Sequence, residues 1–181
     1  SPAPLPQDGA YASRPPEAVA ATSAGGGCTD LSLNGGFETG NFTGWTTWGS
    51  PTVLSTGGHS GTHMARLGGR NNAADTIAQT VSCPFVWGYA QVTFWLYIYS
   101  EAPPGTSADY LALTSVFGTH PATGSFYSES SLARNQWLQL GFTIDNYASG
   151  QWQLIFQVAT DSVYPTTFLI DDVRWCAYCE P

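Results

Sequence analysis

The sequence predicts an all-β domain, an antiparallel β-sandwich or jelly roll, preceded by an extended N-terminal arm. From residue 28 onward, no segment shows the apolar period of a helix. Short apolar stretches recur about every dozen residues instead, separated by clusters of Gly, Pro, Asn, Asp and Ser. Because no helices alternate with these strands, an antiparallel sandwich is favoured over parallel βαβ units.

The first 27 residues form a separate block that is rich in Pro, Ala, Ser and Gly. Such a composition predicts an extended arm, 1–27, ahead of a sandwich domain, 28–181. One stretch of the arm has strand character and lacks Pro and Gly: Glu17, Ala18, Val19, Ala20, Ala21, Thr22 and Ser23. We expect this stretch to be the part that docks on a neighbouring subunit, in the manner of an added β-strand.

Ten strands are predicted from the alternation of apolar and polar residues. They are Leu31–Glu38, Thr52–Ser55, His63–Leu67, Thr76–Ser82, Gln91–Ser100, Tyr110–Phe117, Ser125–Ser130, Trp137–Ile144, Gln151–Thr160 and Thr167–Trp175.

The strand Gln91–Ser100 carries the clearest signal. Val92, Phe94, Leu96 and Ile98 share one face, as a core strand requires, and the opposite face carries three large rings. Alternate residues of neighbouring strands are expected to join those rings in one concave face of aromatic, amide and hydroxyl groups. The predicted face comprises Trp95, Tyr97, Tyr99, Tyr110, Thr114, Trp137, Gln139, Thr143, Gln151, Gln153 and Gln157.

Such a face suits two kinds of partner. Sugar C–H groups pack on aromatic rings while the hydroxyls exchange hydrogen bonds with amides. An extended polypeptide fits a flat aromatic and amide surface equally well. A third interpretation is that a loop or the arm of the same chain covers the rings.

Composition excludes several function classes. The net charge is −8 and the chain has no lysine, so a basic surface for nucleic acid is absent from the sequence. No apolar run approaches the roughly 18–20 residues that span a bilayer. The chain begins at Ser1, which is expected of a secreted, extracellular protein processed during export.

Four cysteines agree with an oxidising compartment: Cys28, Cys83, Cys176 and Cys179. The spacing of the last two also resembles half of a zinc site, but the other two cysteines are isolated, which favours two disulfides. The sequence leaves three pairings open.

The motifs of common hydrolases are missing. No HExxH or GxSxG sequence occurs, and there is no glycine-rich phosphate loop. The one adjacent pair of carboxylates, Asp171 and Asp172, is expected to point to opposite faces of a strand. The sequence therefore predicts neither catalysis nor an organic cofactor.

Several motifs, in this order, form a recognisable pattern. They are Asn34-Gly35-Gly36-Phe37-Glu38-Thr39-Gly40, Gly44-Trp45, Gly61-Thr62-His63-Met64-Ala65-Arg66-Leu67, Ile77-Ala78-Gln79-Thr80-Val81, Trp137 and Ile170-Asp171-Asp172-Val173. Between about Leu31 and Arg174, the chain resembles carbohydrate-binding modules with a galactose-binding-like jelly roll, of the type appended to xylanases and other glycosidases. Because the family is functionally diverse, the resemblance implies a two-sheet jelly roll without fixing the function.

The resemblance also implies a structural calcium where the first and last strands adjoin. Glu38 and Asp171 would be its carboxylate ligands, with backbone carbonyls near Ser60, Gly61 and Thr62. The alternative is that both acids are solvated at strand ends. The same adjacency implies that Cys28 pairs with Cys176 or Cys179 and that Cys83 takes the other. Independently of the resemblance, Asn41 begins a glycosylation sequon.

Two functions remain. The first is a non-catalytic extracellular structural subunit that assembles with copies of itself through its arm, as a filament or surface layer. It is favoured because the chain contains no partner domain. The alternative is a carbohydrate-binding module that recognises a polysaccharide on its aromatic and amide face.

Overall fold

The computed structural model describes residues 28–83, 87–118, 120–128, 132–145 and 149–180. The predicted arm, including Glu17–Ser23, lies outside the described residues. Among those described there is no helix, and hence none long and apolar enough to cross a membrane.

Eleven strands build the described part of the chain. They are β1 (Thr29–Asp30), β2 (Thr46–Trp48), β3 (Thr52–Leu54), β4 (Met64–Gly68), β5 (Ala74–Cys83), β6 (Trp87–Ser100), β7 (Tyr110–Phe117), β8 (His120–Ser128), β9 (Trp137–Ile144), β10 (Gly150–Ala159) and β11 (Thr166–Glu180).

These strands form two antiparallel sheets that face each other. Sheet A has the order β3-β4-β11-β6-β9, with β1 also paired to β11. Sheet B has the order β2-β5-β10-β7-β8. This arrangement confirms the predicted antiparallel two-sheet β-sandwich.

The core lies between the sheets and follows the period of two. Phe94, Leu96 and Ile98 of β6 are fully buried, as the alternation in Gln91–Ser100 predicts. Leu111 of β7 and Phe156 of β10 enter the same cluster from the opposite sheet. Phe94 and Phe156 meet edge to face at 5.1 Å, an arrangement that adds to the stabilisation from buried area.

The strand predicted at Leu31–Glu38 is wrong. The strand β1 ends at Asp30, and although the Leu31 N–H still donates to the Trp175 carbonyl, the chain then turns, with positive φ angles of 49° at Asn34 and 55° at Phe37. The Asn34 side-chain amide donates to the carbonyls of Asn41 and Thr43, which holds the turn. A side chain that bonds to nearby backbone competes with strand pairing, so this motif forms a loop.

Candidate binding site

Five predicted residues lie together on the outer surface of sheet A. Trp95 pairs in register with Gln139, and Tyr97 pairs with Trp137, so that rings from β6 and β9 adjoin. The rings of Tyr97 and Trp137 meet edge to face, 5.6 Å apart. Tyr99 follows on the same side of β6 and is 49% exposed. We call these residues, Trp95, Tyr97, Tyr99, Trp137 and Gln139, the aromatic face.

A loop of the same chain covers one end of the aromatic face. The imidazole of His59, in the β3–β4 loop, stacks on Trp95 with centroids 3.7 Å apart and contacts Trp137 at 5.6 Å. The sequence-based interpretation that a loop covers the rings therefore holds for Trp95. Tyr97, Tyr99 and Trp137 form the part of the face beyond this stack.

Most of the other predicted residues lie on a different sheet, so the single face predicted from the sequence is wrong. Tyr110 is in β7 and Gln151, Gln153 and Gln157 are in β10, all in sheet B. Alternation identifies which residues point away from the core, but it does not identify the sheet to which each strand belongs. The two threonines of the predicted face are also on different sheets: Thr143 is in β9 of sheet A, and Thr114 is in β7 of sheet B.

The outer surface of sheet B is rich in amides. Trp48 pairs with Thr76, which in turn pairs with Gln157, and this row crosses three strands. Trp48 ends β2, and the residues before it, Thr46 and Thr47, favour a strand. Ala78 and Thr114 point outward but are only 1% and 3% exposed, so larger neighbours flank them. We call Trp48, Tyr110, Gln151, Gln153 and Gln157 the amide face.

Glu38 holds the loop that leads into β4. Its carboxylate accepts hydrogen bonds from the backbone N–H groups of Thr62 and His63, both at 2.9 Å, and contacts the His63 ring. The bonds from the His63 backbone and ring, followed by that from Thr62, lower the pKa of Glu38 to about 2. The side chain is therefore a carboxylate at neutral pH.

Asp171 and Asp172 act on the same loop. Asp171 is fully buried and accepts from the N–H groups of His59 and Ser60 at 2.7 and 3.2 Å. Burial raises the pKa of Asp171 to about 6, against the opposing effect of these bonds. Asp172 bonds to the His59 ring at 2.7 Å and to the Ser60 hydroxyl at 2.6 Å.

The expectation that these adjacent acids point to opposite faces is wrong. The pairing of β11 with β6 shifts register between Asp171 and Arg174, and Asp172 has a positive φ of 47°. Such a bulge interrupts the strict alternation of a strand and directs both carboxylates to one loop. Nothing in the residue pattern IDDV distinguishes a bulge from a regular strand.

Three oxygen atoms, one of them from the predicted ligand Asp171, lie close to a single position beside Gly58. An ideal Cβ at Gly58 would lie 2.7 Å from the Ser60 carbonyl oxygen, 2.8 Å from that of His63 and 3.1 Å from Asp171 Oδ2. Such an oxygen-lined position suits calcium, which takes carboxylate and carbonyl ligands. Within the described residues, no group of three or more His, Cys, Asp or Glu side chains is arranged to hold a metal. A cation here would therefore depend on carbonyls and water as well as on Glu38 and Asp171, and it remains a prediction.

A disulfide joins the N-terminal side of β1 to its neighbouring strand β11 within sheet A. Cys28 is bonded to Cys176, with Cα atoms 5.4 Å apart, and Asp30 pairs with Cys176 in the β1–β11 register. This pairing is one of the two that the family resemblance allowed for Cys28. The side chains of Cys83 and Cys179 lie outside the described part of the structure. Asn41 is exposed, and its glycosylation stays a prediction.

Comparison with known proteins shows the fold. No family model and no curated protein sequence matches the chain. Several solved structures are similar to it. TmCBM61, solved with β-1,4-galactotriose, has a TM-score of 0.66 and 19% identity over 84% of this chain and 99% of its own. The CBM22-1 xylan-binding domain of Paenibacillus barcinonensis Xyn10C has a TM-score of 0.56 and 15% identity, covering 86% of this chain and 98% of its own.

A family 16 carbohydrate-binding module is also similar, with a TM-score of 0.54 and 16% identity over 80% of this chain and 98% of that one. Some similar structures belong to enzymes, such as the active domain of a tailspike protein from bacteriophage CBA120, of which this chain covers 21%. At these identities the likeness shows the fold alone: a β-sandwich like that of carbohydrate-binding modules. None of these comparisons supports the self-assembling subunit.

Proposed function

We propose that this protein is a secreted, non-catalytic module that binds a polysaccharide on its aromatic face. The observation that carries the proposal is the grouping of Tyr97, Tyr99 and Trp137 on adjacent strands, with Gln139 beside them. Rings offer faces to sugar C–H groups, and the amide of Gln139 can both donate to and accept from hydroxyls. Similar folds bind β-1,4-galactotriose and xylan, which supports a polysaccharide as the ligand.

Matched variants distinguish the two outer faces. Trp137→Ala removes a ring from the aromatic face, and Trp48→Ala removes one from the amide face of the opposite sheet. A ring contact contributes about 0.5–1.5 kcal/mol beyond its buried area, so Trp137→Ala should weaken binding about two- to tenfold or more. Trp48→Ala should leave the affinity unchanged.

The measurement is isothermal titration with soluble xylan and with β-1,4-galactan, after a glycan array has ranked other polysaccharides. Circular dichroism of each variant confirms that the fold is retained. Loss of binding in Trp48→Ala alone would transfer the site to the amide face. An absence of binding by the unmodified chain to every polysaccharide would overturn the proposal itself.

Deleting residues 1–24 separates this function from assembly. A polysaccharide-binding module should keep its affinity without the arm, because the aromatic face belongs entirely to β6 and β9. Sedimentation velocity of the full chain measures association with copies of itself. If large assemblies form with the arm and dissociate without it, the structural-subunit interpretation regains support.

We further propose that Glu38, Asp171 and the carbonyls of Ser60 and His63 hold a structural calcium. The bound ion would supply positive charge to a loop in which burial disfavours the ionised form of Asp171. Calcium should raise the unfolding temperature of chelator-treated protein, and Glu38→Gln should reduce that increase. An unfolding temperature that is the same with and without calcium would contradict the assignment.

A further inference from the structure

A second pair of acids lies in loops that the proposed functions do not use. Asp109 precedes β7 and is fully buried. One oxygen, Oδ1, accepts a hydrogen bond from the backbone N–H of Asp161 at 2.6 Å. The other, Oδ2, is buried and has no hydrogen-bond partner. A buried carboxylate oxygen without a partner is strongly unfavourable, because the charge has lost its hydration.

Asp161, in the β10–β11 loop, carries a second carboxylate, which lies beside the backbone of the residue before Asp109. Its Oδ2 lies 3.4 Å from the backbone N of Ala108, next to Asp109 in the chain, and its Oδ1 accepts from Val163 at 2.8 Å. Each acid thus contacts the loop that carries the other. Within the described ranges, the ion pairs involve other acids, and neither Asp109 nor Asp161 is paired with an arginine or histidine.

We propose that Asp109 and Asp161 bind a calcium ion between the β6–β7 and β10–β11 loops. Two carboxyl groups without an arginine or histidine partner offer oxygen ligands, and hard divalent cations bind such all-oxygen sites. Calcium accepts irregular ligand sets that water and backbone carbonyls complete, whereas magnesium requires a nearly octahedral set. The Ser107 hydroxyl, 3.0 Å from the Asp109 backbone N, adds a neutral oxygen nearby. The site shares no residue with the one proposed at Glu38 and Asp171.

Such an ion would join the loops that connect the two sheets. β6 and β11 belong to sheet A, and β7 and β10 belong to sheet B. Both loops therefore pass from one sheet to the other at this end of the sandwich. For extracellular modules with dissociation constants of about 0.1–1 mM, about 10 mM calcium should raise the folding equilibrium constant about ten- to hundredfold.

Calcium titration of the full chain tests the site. The protein is freed of metal with a chelator, and isothermal titration with calcium chloride follows for wild type, Asp109→Asn and Asp161→Asn. Both variants should lose one calcium equivalent. Asp145→Asn, at an exposed position, is the matched control and should bind as wild type does. Glu38→Gln reports separately on the other proposed site, so failure at either position is distinguishable.

Urea unfolding gives a second readout. In chelator, Asp109→Asn should be at least as stable as wild type, because the amide buries no charge. In 10 mM calcium the order should reverse, since only the wild type gains from the ion. Equal calcium heats in wild type and Asp109→Asn, or equal shifts of their urea midpoints, would overturn the proposal and assign Asp109 Oδ2 to a buried water or proton instead.

Discussion

Asp75 is the side chain whose replacement should reveal most about how the two sheets are joined. It is fully buried at the start of β5, in sheet B. Its Oδ1 accepts from the Ser50 N–H at 2.7 Å and from Arg70 Nη2 at 2.6 Å. Its Oδ2 accepts from Arg70 Nη1 and from the Gly68 N–H, both at 2.9 Å. Because Gly68 ends β4, this carboxylate links sheet B to sheet A.

The substitution Asp75→Asn keeps the shape and removes the charge. Its amide nitrogen would face one N–H donor of the backbone and one of the Arg70 guanidinium. Removing one partner of a buried ion pair costs about 3–5 kcal/mol. Arg70 is 42% exposed, so water replaces part of its lost interaction and the lower limit, about 3 kcal/mol, applies. In a domain of this size, that loss lowers the unfolding temperature by about 6–12 °C.

The stability lost in Asp75→Asn should also depend on pH and should become smaller in acid. Burial raises the pKa of Asp75, but the hydrogen bonds from Arg70, Ser50 and Gly68 outweigh it and hold that pKa below its ordinary value. A carboxylate whose pKa is lower in the folded state stabilises the fold above its unfolded pKa of about 3.9. That contribution is lost as the pH falls through the lowered, folded-state pKa.

Thermal unfolding followed by circular dichroism, at pH 7 and in steps down to pH 2, measures both effects. The matched control is Asp30→Asn, since Asp30 forms an exposed ion pair with Arg174 at 3.2 Å. Exposed pairs contribute about 0–1 kcal/mol, so the control should lose little. The reasoning is refuted if Asp75→Asn loses no more than the control, or if its deficit is the same at pH 2 as at pH 7.

Three further predictions concern the loops and strands beside the candidate sites. Replacing Cys28 and Cys176 by serine opens a loop of 148 positions and should lower the free energy of unfolding by up to about 5 kcal/mol, measured in urea. Gly35→Ala should strongly destabilise the fold in the same assay, because its Cβ would lie 1.9 Å from a backbone oxygen, whereas at Gly36 the nearest atom is 3.6 Å away and Gly36→Ala should be tolerated. Asp172→Ala should loosen the loop over the aromatic face and increase quenching of tryptophan fluorescence by acrylamide; unchanged quenching would contradict this.

The sequence predicted those strands whose alternation is enforced by the core. Tyr110–Phe117 and Trp137–Ile144 have the predicted bounds, and Gln91–Ser100 lies within β6. In each, one row of side chains enters the core, so a shift of one residue would expose the whole row. Burial thus fixes both the position and the orientation of these strands.

The sequence failed where tertiary contacts decide the structure. The segment Leu31–Glu38 has the apolar residues of a strand, but the Asn34 side chain and two positive φ angles make it a turn. The residues predicted to form one binding face lie on two sheets, because β9 is beside β6 in sheet A and β10 is beside β7 in sheet B. The period of two does not encode this strand order. The bulge at Asp171 was likewise invisible, since it depends on the pairing with β6.

One strand, β11, joins several otherwise separate features of sheet A. Its C-terminal part holds Cys176 and hence the disulfide to the start of the domain. Its bulge turns two carboxylates toward the β3–β4 loop, and that loop lays His59 on Trp95. On the N-terminal side of the bulge, Leu169 pairs with Tyr97, so β11 also lies beside the ring-bearing strand β6. A change in the loop or in any cation it binds should therefore alter the accessible area of the aromatic face, because the same strand positions both.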